Sequence, residues 1–331
     1  MKHPQANMGL GCVSGERKRA RRLVRLGYIV IVLVVSASCS TTDQRVAATT
    51  VNITALPIEP TALAFYAKER GFFSRQGIDA RITMIADPQQ APAAILSGTA
   101  TFSSFSVGNV AVLKSRGAPV RLVAAGALYR PKSPTTALVS AKGKRFTRAR
   151  MLVGKTIAID ATNTPAHIGL RRWLKREGVA ADDVRFVQMP FAQMIGPLSK
   201  GRVDAAVVPE PFLTLVLQRG ATRVAPILNA VCPRDCLGTV WMARRDIDSN
   251  LAARFRNAIQ AAAAWANQEE HDRTSGDILA KYSGLDRALI AKVTRTRFAT
   301  RLTPALAQPW IDVYAEFGVI PASYSASDLV K

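Results

Sequence analysis

Between residues 50 and 219, short runs of β-branched and apolar residues alternate with helical stretches of about ten residues, and the series occurs twice. The first series predicts strands at 50–56, 78–85, 99–103 and 120–127, with helices at 62–68, 89–96 and 107–115 between them. The second predicts helices at 148–153, 165–177, 191–200 and 210–219, with strands at 155–160, 183–189 and 204–208. A strand can continue into a parallel neighbour only through a long crossover, so this alternation predicts an α/β fold. Each half should be a mostly parallel sheet flanked by helices. After Gly238 one more strand is expected at 239–243, and the rest reads as helical. Ser249 or Asn250 can cap a helix burying Leu251, Phe255, Ile259 and Ala262, while Thr303 and Pro304 open one that ends at Gly318.

The first 38 residues read as an export signal and take no part in the fold. Seven basic side chains face only Glu16, and the ten-residue apolar run Leu26 to Val35 precedes Ser36, Ala37, Ser38 and Cys39. That run is about half the length needed to span a bilayer. The residues before Cys39 resemble a bacterial lipobox, in which the cysteine is acylated and becomes the first residue of the mature chain. Ser36 stands where such a motif usually has an aliphatic residue, so simple secretion is the alternative. Small and polar residues at 39–48 are read as a tether.

Cleavage before Cys39 leaves 38 basic against 22 acidic side chains, a net charge of +16. The basic residues are scattered and not interleaved with aromatics, which argues against a nucleic-acid surface. The two histidines that remain, His167 and His271, have no acid or thiol cluster near them in sequence, so no metal or cofactor is expected. Cys232 and Cys236 are an even pair in an oxidising compartment. A local disulfide is the first reading, buried free thiols the second, and zinc the last for want of partners.

In open α/β sheets ligands bind beyond the carboxyl ends of the strands. That rule selects loops at Glu59–Thr61, Ser103–Ser106, Thr162–Thr164 and Pro209–Phe212. From them Thr61, Ser104, Phe105, Ser106, Asn163, Thr164 and Glu210 are the candidate ligand contacts. A hydroxyl or amide just before a helix has two readings: an N-cap, or part of an anion site on free N–H groups. Glu210, held between two prolines, either caps its own helix or faces a ligand that carries a positive or donor group. Phe105, Phe212 and Trp241 are candidates for stacking on a ring.

Four segments carry a resemblance. They are EPTALAFYAKERGFFSRQGIDARI, ILSGTATFSSFSVGNVAVLKSRGAPVRLVAAG, LVGKTIAIDATNTPAHIGLRRWLKREGV and LSKGRVDAAVVPEPF. In this order they resemble the periplasmic substrate-binding proteins of ABC importers, in the branch for sulfonates, taurine, nitrate and thiamine-pyrimidine precursors. The resemblance spans about residues 50–325. It implies two lobes with the ligand cleft between them, lobe one from 49–135 and 241–331 and lobe two from 136–240. It further implies a monomer outside the cytoplasm, anchored by lipid, that delivers a small anionic or zwitterionic solute to a permease and its ATPase. Relatives of the sulfonate type have a Gly- and Ser-rich loop where this chain has Thr162–Thr164, without glycine. Two alternatives are a solute sensor and a thiamine-pyrimidine synthase. The synthase would need a Schiff-base lysine in the cleft, and none of the four loops has one.

Overall fold

The computed structural model describes residues 48–330; the leader, Cys39 and all but the last residue of the expected tether lie outside them. Strand β1 (Thr49–Ala55) is followed by α1 (Leu63–Glu69), β2 (Ile78–Met84), α2 (Gln90–Leu96), β3 (Phe102–Ser106), α3 (Val107–Ser115) and β4 (Val120–Ala125). The short β5 (Ala127–Tyr129) leads to β6 (Thr136–Ser140), β7 (Thr156–Ile159), α4 (Pro165–Arg176), β8 (Arg185–Gln188) and α5 (Phe191–Ser199). Then come β9 (Ala205–Pro209), α6 (Phe212–Gln218), β10 (Thr222–Ala225), β11 (Cys236–Leu237) and β12 (Thr239–Arg244). The chain closes with α7 (Ser249–Ala266), α8 (Asp272–Ser283), α9 (Arg287–Ile290), β13 (Arg297–Phe298), α10 (Pro304–Glu316) and α11 (Ser327–Val330).

The strands form two five-stranded sheets, β2-β1-β3-β12-β4 and β10-β6-β9-β7-β8. In the first, β12 runs antiparallel to both neighbours while the other four strands share one direction. In the second, β6 plays the same part. Each sheet is therefore mostly parallel, as the alternation predicted, with one reversed strand. The chain leaves the first sheet after β4, builds the second, and returns with β12. Where it crosses, β11, β5 and β13 make a small antiparallel sheet of their own.

Several expectations shift for identifiable reasons. The third strand lies three residues later than expected, at Phe102–Ser106, although three of its five residues are serines. Thr54 Oγ donates to Ser103 Oγ at 2.7 Å across the parallel pair, so this polar group is buried without loss. The strand expected at 120–127 divides at Gly126, where a Cβ would come within 2.4 Å of Thr239 Oγ. The cap of α7 is Asp248, which accepts from Leu251 N–H at 2.7 Å, and not Ser249 or Asn250. The segment 148–153 is a short 3-10 turn. The closing segment contains β13 as well as helices.

Two of the aromatics proposed for stacking are core. Trp241 is buried and packs edge-on to Phe255, which stacks on Phe102 with ring centroids 3.7 Å apart. Phe212 is buried in the core of the second sheet. Cys232 and Cys236 are joined by a disulfide, Cα–Cα 5.9 Å, in the turn that enters β11. Among the described residues no helix is long and apolar enough to cross a membrane.

Candidate functional site

A cavity of about 130 Å³ opens at the carboxyl ends of the parallel strands of both sheets. From the first sheet come Ile58, Pro60 and Thr61 after β1, Pro88 after β2, and Ser104 to Ser106 at the end of β3. From the second come Asp160 after β7, Thr164 to Ala166 at the start of α4, Phe191 at the start of α5, and Pro209 at the end of β9. The reversed strands β6 and β12 present their first residues, Thr136 and Thr239, at the same edge. Residues of β5 line the crossing side, and Trp310 of α10 contributes from the returning segment. The walls are mainly apolar, and among the described residues no lysine or arginine lines them.

Five of the seven candidate contacts line this cavity: Thr61, Ser104, Phe105, Ser106 and Thr164. Three of their hydroxyls are engaged within the protein. Thr61 donates to the Leu56 carbonyl at 2.5 Å. Ser106 caps α3, accepting from Asn109 N–H at 3.2 Å. Thr164 caps α4 and donates to Asp160 Oδ1 at 2.6 Å. Ser104 differs: it is 1% exposed, and its Oγ has no partner among the described residues. Trp310, fully buried, leaves its Nε1–H equally unpartnered.

Asn163 and Glu210 are not among the lining residues. Asn163 has a left-handed backbone, φ 58°, and works through its main chain. Its N–H donates to His167 Nδ1 at 3.0 Å, and its carbonyl accepts from the Tyr314 hydroxyl at 2.8 Å. The Glu210 carboxylate accepts from Thr214 N–H and Oγ–H and from Thr294 N–H, at 2.9 to 3.3 Å. Of the two readings of Glu210, these bonds make the helix cap: its carboxylate lies at the start of its own helix and is held by three protein donors.

Beside the lining residues Pro60 and Pro209, Glu210 belongs to a buried clamp that composition alone does not reveal. The Glu59 N–H donates to the Glu210 carbonyl at 3.1 Å, joining the loops after β1 and β9. Glu59 is fully buried, ion-paired with Arg295 at 2.9 Å and bonded to Thr296 N–H at 3.0 Å. Residues 294–296 thus donate to both carboxylates. Burial raises the pKa of both acids; for Glu59 the Arg295 charge works against that rise.

Asp160 lines the cavity although the loop rule does not select it, because in sequence it reads as the last residue of a strand. It retains some surface toward the cavity but is surrounded by protein, and burial raises its pKa to about 6, against the Thr164 hydrogen bond. It has no ion-pair partner among the described residues. The signal in sequence was an acid at the carboxyl end of a predicted parallel strand. Nearby, burial and then Arg171 lower the pKa of His167 to about 4, leaving its ring neutral at ordinary pH. No group of three or more His, Cys, Asp or Glu able to hold a metal occurs among the described residues.

The family model described as "NMT1/THI5 like" matches residues 60–271. No curated protein matches the sequence. Among solved structures, the chain is similar to the ligand-binding component of an ABC-type import system from Staphylococcus aureus, with a TM-score of 0.72 at 17% identity over 86% of this chain and 96% of that one. It is also similar to the alkanesulfonate-binding protein SsuA from Xanthomonas axonopodis pv. citri, bound to MOPS, with a TM-score of 0.70 at 16% identity over 85% and 97%. A third is the periplasmic nitrate-binding protein NrtA from Synechocystis PCC 6803, with a TM-score of 0.70 at 16% identity over 85% of each chain. At these identities the likeness is one of fold: two lobes of sheet and helix.

Proposed function

The chain belongs to the NMT1/THI5-like family, and from that premise we propose that it is the solute-binding component of an ABC-type importer. The observation that carries this is the cavity at the carboxyl edges of both sheets, with walls contributed by each and by the crossing strands. Such a site holds a solute by contacts from two bodies at once, so capture and closure are one event. The fold neighbours include a ligand-binding component of an ABC-type import system, an alkanesulfonate-binding protein and a periplasmic nitrate-binding protein, which supports the same reading. The synthase alternative requires a lysine in the cavity, and the lining residues include none.

The export signal read at residues 1–38, with Cys39 next, supports a place outside the cytoplasm, held at the membrane by a lipid on that cysteine, with the protein acting as a monomer. Residues 49–135 and 241–331 would form the lobe built on the first sheet, and 136–240 the other. Thr61, Ser104, Phe105, Ser106 and Thr164 remain the proposed contacts, with Asp160 and Trp310 added. Within the range of solutes expected from sequence, sulfonate and nitrate fit poorly, because no basic side chain lines the cavity and an acid does. A solute carrying a donor or positive group suits it better.

The test is a thermal-shift screen of small solutes, followed by small-angle scattering with each hit. A solute that raises the melting temperature and compacts the chain is the expected result. If solutes of every class leave both unchanged, the binding function is wrong. Anchoring is tested separately: Cys39→Ala should yield a soluble or unprocessed form, and wild-type protein found free of membrane would remove the lipid anchor.

A further inference from the structure

The lining of the cavity goes further than the charge of its ligand. Resting on the solute-binding reading above, we infer that the solute is a small organic amine with a ring-sized apolar body, its nitrogen paired with the Asp160 carboxylate. Asp160 is then the residue that sets specificity.

Three observations converge on this. The first is the acid itself. An ionised carboxylate shut away from bulk water is costly unless a positive group or several donors compensate it. Asp160, partly exposed toward the cavity, accepts from the Thr164 hydroxyl and from the backbone N–H groups of residues 160 and 161, but has no ion-pair partner among the described residues. Basic residues are plentiful in this chain, so their absence from the lining leaves the compensating charge for the solute to supply.

The second is the pair of unsatisfied groups. Buried polar atoms in folded proteins are almost always bonded, and each exception calls for a partner. Ser104 Oγ can accept a second N–H of the amine, and Trp310 Nε1 can donate to an uncharged acceptor on the body.

The third is size and polarity. A cavity of about 150 Å³ takes one benzene ring, and this one measures about 130 Å³. Leu56, Ile58, Phe105, Phe191 and Leu228 offer no hydrogen bonds to the ring atoms of a polar heterocycle. An alkyl or aryl body loses nothing against such walls.

Benzylamine, benzyl alcohol and benzenesulfonate test the inference, since they share one body and differ in the charge of the head. Dissociation constants are measured with the purified full chain, and with Asp160→Asn and Ser104→Ala. The expected result is benzylamine binding at least about tenfold tighter than benzenesulfonate, with the preference lost in Asp160→Asn. A hydrogen bond to a charged group is worth about ten- to a hundredfold, so that variant should weaken benzylamine by about this factor and benzyl alcohol by clearly less. Ser104→Ala should weaken benzylamine by less. The wild-type comparison stands even if a variant fails to fold. Equal or tighter binding of benzenesulfonate overturns the inference, and so does a benzylamine preference that survives in Asp160→Asn. Failure of all three probes, when a solute of another class stabilises and compacts the chain, overturns the amine but leaves the solute-binding function standing. If no solute of any class does so, both fall.

Discussion

At the scale of single residues, Asp160 and His167 give opposite pH dependences to stability. Asp160 has its folded pKa raised from 3.8 to about 6, so between those values the folded state holds a proton that the unfolded state has lost. Its ionisation therefore removes stability as pH rises through this window, by about 3 kcal/mol once complete. Asp160→Asn should be more stable than wild type by up to about that amount at pH 7, with the gain fading from pH 6 and gone below pH 4. Urea unfolding at pH 7 and pH 4 measures it. For His167 the folded pKa is lowered from 6.5 to about 4, so stability is lost as pH falls between those values and the unfolded chain takes up the proton. His167→Gln should flatten that limb. The proposed amine adds a third test: its affinity should rise with pH through about 6 as Asp160 ionises, with Asp87 and Tyr314 the other titratable groups coupled to it.

At the scale of elements, the start of α4 and the entry to β11 are the two places where a local motif supports the cavity. Thr164 caps α4 and holds Asp160, while Pro165 occupies the first helical turn. Thr164→Ala removes the cap and should destabilise the protein by about 1 to 2 kcal/mol, whereas Thr164→Ser should keep most of it. Parallel denaturation curves distinguish the two. Before β11, the disulfide closes a short loop beside Tyr129, which lines the cavity and donates to Asn229 Oδ1 at 2.5 Å. In the chain-entropy picture a loop of this length contributes about 2 kcal/mol. Replacing both cysteines by serine should lower stability by about that amount, and reducing agent should then have no further effect on the melting temperature.

At the scale of the whole molecule, the clamp of Glu59, Glu210 and residues 294–296 connects the loops of the two sheets next to the lining residues Pro60 and Pro209. Arg295 is the only cation paired with the buried Glu59 among the described residues. Arg295→Leu should cost about 3 to 5 kcal/mol, because it strands a carboxylate in the interior. A melting temperature within a degree of wild type would contradict this view of the clamp.

Period and punctuation in the sequence determined the two α/β halves, since crossovers between parallel strands leave a pattern of runs and caps that neighbours in sequence suffice to produce. The same local signals marked Ser106 and Thr164, because an N-cap is made within four residues. Short strands such as β5, β11 and β13 were not legible; they gain their partners only from distant segments. Nor could the sequence decide what Glu210 faces. Its neighbours allowed a cap or a ligand contact, and the bond from Thr294, 84 residues away, assigns it to the interior. Asp160, Ser104 and Trp310 come from three separate elements, and only the folding of the chain around one cavity brings an unpaired acid together with two unsatisfied polar groups. Local patterns fix local structure; which charges go unanswered is settled by every element packed around them.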